Sequence, residues 1–226
     1  MAGESVLGVD ACKAGWVGVV LDPDGQVADV LLKATIANLV NAAAESRTIS
    51  VVGIDIPIGL PERGERPVDA AARRLLKGAS SSVFTTPTRP ALDQDDPDTA
   101  SKINREFDGK GISRQSWGLK PKILDVDAWL EDHPPHTVIE VHPELAFQTM
   151  AGHPLRYNKR SWTGVALRQR LLVDHGVAIP IEHAAGRTGF DDVADAGAAA
   201  WSAYRKAIGR AVPVLDPPDG VGQIWY

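Results

Sequence analysis

Three short apolar blocks open the chain, at about residues 5–10, 15–21 and 26–33, and the turn sequence Asp22-Pro23-Asp24-Gly25 separates the last two. Blocks of this length, bounded by turn residues, predict a meander of three antiparallel strands. The period then changes. Thr35 stands where a helix N-cap belongs, Ile36, Leu39, Val40 and Ala43 recur at helical spacing, and "SVVGIDIPIGLP" supplies a fully apolar strand over about 49–54. A helix leading into such a strand predicts a crossover to a parallel neighbour.

From about 57 to 135 the pattern breaks into short helical pieces interrupted by Pro and Gly, at about 67–77, 98–107 and 123–131. This stretch reads as an insertion in one domain that spans residues 1–226. "TVIEVHP" predicts another strand at about 137–141. Helices are expected at about 143–151, 161–175 and 191–209, the last with Ala194, Ala198, Trp201 and Ala207 among its apolar positions. The tail "GQIWY" is either an extra strand or a clasp on the core.

Composition adds little to the fold but narrows the function. The 44% apolar and 23% charged residues are the composition expected of an ordinary soluble protein, and no uncharged stretch reaches the roughly 20 apolar residues that span a bilayer. Cys12 is the single cysteine, so no internal disulfide forms, and residues 1–5 lack a basic region and an apolar signal segment. These features lead to the expectation of a cytoplasmic location. The net charge of -5 argues against an affinity built from phosphate contacts over the whole surface. Nucleic acid would need a local patch. Candidates are the cations from Arg63 through Arg66, Arg73, Arg74 and Lys77 to Arg89, the set Lys110, Arg114, Lys120 and Lys122, and the run Arg156, Lys159, Arg160, Arg168 and Arg170. Runs like these also occur on ordinary helix surfaces.

Asp10, Asp55 and Glu140 each lie at or near the C-terminal end of an apolar strand. In a sheet with parallel central strands those ends converge on the crevice where α/β proteins place ligands. Asp192 and Asp195, spaced three apart in "DDVADA", share one face of the last helix. Other roles remain open: Asp191 and Asp192 suit a helix N-terminus, Asp10 suits a turn whose amides it accepts, and Glu144 competes with Glu140. Carboxylates this close stay ionised only if cations neutralise them, and oxygen ligands suit Mg²⁺ or Mn²⁺. The histidines form no zinc signature; His133 and His136 read as loop residues, and His142 beside Glu140 is a candidate supporting group.

The set "GVDACKAGW", "GIDIPIGLP", "SSVFTTPTRPAL", "KPKI", "EVHPE" and "DDVADAGAAAW" resembles the domain-of-unknown-function family numbered 429, described as predicted nucleases of the RNase H-like fold. The resemblance covers nearly the whole chain. It implies an RNase H-like mixed five-stranded sheet, three antiparallel strands first and then parallel ones, flanked by helices. It further implies divalent metal on Asp10, Asp55 and Asp195, with Asp192 beside them and Glu140 as an extra acid. The expected activity is a nuclease or related phosphodiesterase acting on RNA, DNA or another phosphate-containing substrate.

Within the insertion, Ser82 and Arg89 belong to a hydroxyl-rich loop suited to an anion, Lys120 and Lys122 could neutralise phosphate, and Trp117 could stack on a base. Two other functions compete: a non-catalytic nucleic-acid or ligand-binding module on the same fold, and an ATP-binding protein of the actin and sugar-kinase type. The latter would need a Gly and Thr or Ser hairpin where this chain has Ala11-Cys12-Lys13-Ala14-Gly15. The discriminating observation is whether Asp10, Asp55 and Asp195 converge.

Overall fold

The computed structural model describes residues 3–76, 80–216 and 222–226, so Lys77 lies outside the described residues. The opening blocks form β1 (Ser5–Cys12), β2 (Gly15–Leu21) and β3 (Val27–Lys33), paired antiparallel in the order expected. Between β2 and β3 the Asp22 carboxylate accepts the amides of Asp24 and Gln26, and Gly25 takes the left-handed conformation that closes the turn. Thr35 caps α1 (Ile36–Ala44) through the Asn38 amide, and β4 (Ile49–Ile54) returns parallel to β1.

Among the described residues five α-helices lie between β4 and β5, and one follows β5 directly. In the inserted stretch, α2 (Pro67–Leu75), α3 (Arg89–Leu92), α4 (Pro97–Asp108), α5 (Arg114–Gly118) and α6 (Lys120–Glu131) precede β5 (Thr137–Val141), and α7 (Pro143–Ala151) comes directly after. α3 and α5 span about one turn each, too short to show a helical period. α8 (Trp162–Asp174) starts on the Ser161 cap, and α9 (Phe190–Ala207) closes the helical part. No helix among the described residues is long and apolar enough to cross a membrane.

Among the described residues the sheet has six strands rather than the five expected. Its order is β3-β2-β1-β4-β5-β6, because the tail adds β6 (Ile224–Trp225) parallel to β5. The Val212 amide donates to the Tyr226 carbonyl and the Tyr226 amide returns the bond, which ties the tail to its own approach segment.

Alternation along the strands divides the core between two faces. Leu7, Val9, Val52 and Ile54 point to the side covered by α1 and by Ile123 and Val126 of α6. Val6, Val51, Ile139 and Val141 point to the side covered by α7, α8 and α9. Gly8 and Gly53 are register partners on that second face, and α9 lies directly against them. A Cβ on Gly8 would stand 1.9 Å from the Ala200 nitrogen and 2.3 Å from the Ala196 oxygen, so backbone meets backbone there. Gly8→Ala is therefore expected to destabilise the fold by about 1–3 kcal/mol, since neither strand nor helix can yield without repacking. A lowered urea midpoint at unchanged slope would register the loss. A midpoint equal to that of the wild type would mean that α9 shifts freely.

Candidate metal centre

The close approach of α9 to the sheet decides which acids meet. Asp10 shares the face of Gly8 and Val6, and Asp55, whose amide donates to the Val9 carbonyl, continues the face of Gly53. On α9, Ala199 packs over Gly53, and Asp195 lies one turn before Ala199. Asp195 therefore reaches the ends of β1 and β4, and one oxygen from each of Asp10, Asp55 and Asp195 falls within 4.8 Å of the others. Asp10 and Asp195 are only 8% and 2% exposed.

Packing three carboxylates together distorts their titration. Burial, then the charges of Asp55 and Asp195, push Asp10 well above the ordinary carboxylate range. Burial and Asp195 do the same to Asp55. Burial pushes Asp195 up to about 6, against the pull of Lys159. The Lys159 ammonium donates to Asp195 Oδ2 at 2.5 Å; burial disfavours its charge, but Asp195, Asp55 and Asp10 outweigh that and hold it protonated. One Asp10 oxygen accepts the Ala11 amide at 2.7 Å, so this acid also serves its turn. Asp195 Oδ1 is buried with no hydrogen-bond partner among the described residues.

That orphaned oxygen bears on whether an ion fits. Buried polar atoms are nearly always satisfied, and a set of three convergent carboxylates, one with an unpartnered buried oxygen, matches the chemistry of a hard divalent cation. A single lysine neutralises only part of the charge that the three acids carry when ionised.

The other candidate residues fall into two groups. Asp192 is half-buried in the first turn of α9, where the Gly189 amide bonds back to it; burial and Asp191 raise its pKa. It adds negative potential at Asp10 without joining the cluster of three. Glu140 lies outside that cluster for a geometric reason. Between Ile139 and Val141, which face α9, its side chain must point to the opposite side. There it meets Arg66, which donates to both carboxylate oxygens at 2.8 Å, while the Ile58 amide adds a third bond at 2.8 Å. Glu144, the competitor for that role, accepts a forked pair of bonds from Arg168.

The cations proposed for substrate are mostly engaged elsewhere. Arg89 makes a forked pair with Asp127, Lys122 donates to the Gly15 carbonyl beneath the Trp16 ring, and Lys120 donates to the Gln94 carbonyl while covering Trp117. None of these, nor Trp117, lines the cavity of about 650 Å³ that opens over the acids; Ser82 does. His142 lines it too, with a buried Nδ1 lacking a partner among the described residues and a pKa lowered by burial.

Two residues at the site were not singled out by sequence pattern. Lys159 belongs to a basic run, but nothing local marks it as the cation that folds over Asp195. Arg66 carries a weak local signal, its spacing of three from Asp69, which becomes meaningful only once both are buried.

Residues 8–220 match the family model described as Protein of unknown function (DUF429). No curated protein and no solved structure matches the chain.

Proposed function

Because the chain belongs to the DUF429 family and the description of the matching model names no activity, its chemistry must be read from the site, and we propose a divalent-metal-dependent phosphodiesterase, a nuclease of RNase H-like type. The single observation that carries this reading is the convergence of Asp10, Asp55 and Asp195 on a cavity, with one buried carboxylate oxygen unpartnered. Acids on the first and fourth strands and on the last helix, behind three leading antiparallel strands, further support it.

Asp10, Asp55 and Asp195 would hold Mg²⁺ or Mn²⁺. When bound, such an ion supplies the positive charge that phosphoryl transfer requires at the attacking and leaving oxygens. The protein's own residues set the geometry. β1 and β4 are central strands, so two of the acids ride on the most rigid part of the fold. α9 carries the third acid at a distance held by backbone contact with Gly8 and Gly53. Ser82 and Asn158, on different segments of the cavity wall, offer a hydroxyl and an amide to phosphate oxygens. Lys159 holds a positive charge beside the reacting position.

Calorimetric titration of Mn²⁺ into the wild type and into Asp10→Asn tests this reading. The wild type should bind, and the variant should bind at least about tenfold more weakly. The metal-free variant should be as stable as the wild type or more so, because one of three repelling charges has gone. Absent or equal binding in both proteins overturns the proposal. The Lys159–Asp195 pair favours a second reading for that outcome: an internally neutralised acid cluster in a fold that binds nucleic acid or another ligand without cleaving it.

A further inference from the structure

The segment 152–161, between α7 and α8, forms one wall of the acid cavity and carries side chains that the metal centre does not use. Tyr157 is 51% exposed, and Trp162, just beyond the segment at the first position of α8, is 88% exposed. Arg156 is exposed, and the side chain of Arg160 is 81% exposed, its only ion pair among the described residues a 3.4 Å contact with Asp191. Isolated exposed aromatics are common. Two aromatics and two arginines within seven residues, of which Arg156, Tyr157 and Arg160 line a cavity floored by carboxylates, are a more specific combination.

The backbone that presents them is fixed. Buried Arg168 donates to the Tyr157 and Gly164 carbonyls while its other nitrogens grip Glu144. The Asn158 carbonyl accepts from both the amide and the hydroxyl of Ser161, and Asn158 Oδ1 accepts the Arg160 amide. Gly164 allows this turn to sit against α8, since a Cβ there would lie 1.9 Å from the Asn158 oxygen. The segment is thus a rigid turn that leaves its aromatic and guanidinium groups in solvent.

From this arrangement we infer that the segment 156–162 is a platform for single-stranded nucleic acid, with Trp162 and Tyr157 stacking on bases and Arg156 and Arg160 meeting the backbone. The inference rests on the phosphodiesterase reading of the acid cluster and specifies its substrate. Unpaired bases offer faces to aromatic rings, and such stacking tolerates any sequence. A duplex hides those faces and would depend on a broad cationic surface, which a chain of net charge -5 does not supply. The cavity of about 650 Å³ suits the end or a turn of one strand passing from the platform to the acids.

Trp162 also provides the readout. Of the six tryptophans, Trp16 and Trp201 are buried and Trp117, Trp129 and Trp225 are partly buried, so Trp162 is the one open to solvent. The experiment adds an oligothymidylate of about ten nucleotides, a length within the usual site sizes, to the full chain in a chelator, where no hydrolysis interferes. Quenching of the exposed tryptophan emission is expected, together with anisotropy-detected binding about tenfold weaker in Trp162→Ala and in Tyr157→Ala. Duplex of the same length should bind more weakly than the single strand. Unchanged affinity in both variants, or duplex binding equal to single strand, overturns the inference. Manganese titration of the same proteins in chelator-free buffer separates the two claims. Metal binding without strand binding removes the platform and leaves the metal centre, whereas strand binding without metal binding keeps the platform and removes metal-dependent hydrolysis.

Discussion

Replacing Arg66 with methionine should destabilise the protein by about 3–5 kcal/mol, the cost of breaking a buried ion pair from one side. The side chain is 1% exposed and faces Asp69 and Glu140, 2% and 6% exposed. Its Nη1 also donates to the Ile58 carbonyl, and Asp69 in turn accepts the Thr86 amide. One guanidinium therefore joins β5, α2, the segment after β4 and the hydroxyl-rich loop that walls the cavity. Burial works against the charge of Arg66, but Glu140 and Asp69 outweigh it and hold the group firmly protonated. Burial pushes Glu140 up, while Arg66 and the Ile58 amide pull it down. Methionine fills similar volume but leaves two buried carboxyls without a cation. In a chain of this size the melting temperature should fall by roughly 6–20 °C. Adding Glu140→Gln to the variant should restore part of the loss, because it removes one orphaned charge. A single variant that melts with the wild type would show that water reaches the triad and that it does not hold the insertion.

In a chelator, the protein should gain stability as the pH falls from about 7.5 to about 5, the reverse of ordinary acid behaviour. Asp195 titrates near about 6 in the folded protein, against an ordinary value of 3.8. A carboxyl raised in this way contributes stability that is fully present below its unfolded pKa and is lost as the pH rises through its folded one. The window therefore runs from about 4 to about 6, and the full contribution of this one group is about 3 kcal/mol at ~1.4 kcal/mol per pH unit. Asp10 and Asp55 are raised for the same reasons and act in the same direction. His142 acts oppositely, since burial lowers its pKa and its stability contribution is lost as the pH falls. Three carboxyls outweigh one imidazole. With saturating Mn²⁺ the trend should reverse, because protons then compete with the ion for the same oxygens. Melting curves across this pH range, with and without Mn²⁺, check both slopes. Metal-free stability that falls steadily on acidification would mean that the three acids do not repel one another in the folded chain.

Much of this site was legible before folding. Val9 before Asp10 and Ile54 before Asp55 mark acids at the ends of apolar strands, and the spacing of Asp192 and Asp195 places an acid on the inner face of a helix rich in alanine. Those local patterns sufficed because a strand end and a helix face are defined by a few neighbouring residues. Glu140 shows where such reading needs a further step. The apolar neighbours Ile139 and Val141 both face α9, so period-2 alternation sends Glu140 to the other side, where Arg66 and the Ile58 amide meet it. Lys120, Lys122 and Arg89 are cations in suggestive motifs, yet each finds a carbonyl or carboxylate away from the cavity. The tail could be read as strand or clasp because a strand of two residues has no period of its own.

By itself, then, the sequence determined the three-strand meander, the crossover to β4, the final helix and the acids that end up together on them. Each follows from hydrophobic period and turn chemistry, which act over a few residues. Only the tertiary structure decided that Lys159 folds over Asp195, that Arg66 captures Glu140, that β6 joins β5, that Tyr157 lines the cavity and that Trp162 stands in solvent. Those outcomes pair residues separated by 36 to 84 positions, or set a side chain's exposure, and depend on which polar groups burial leaves in need of a partner.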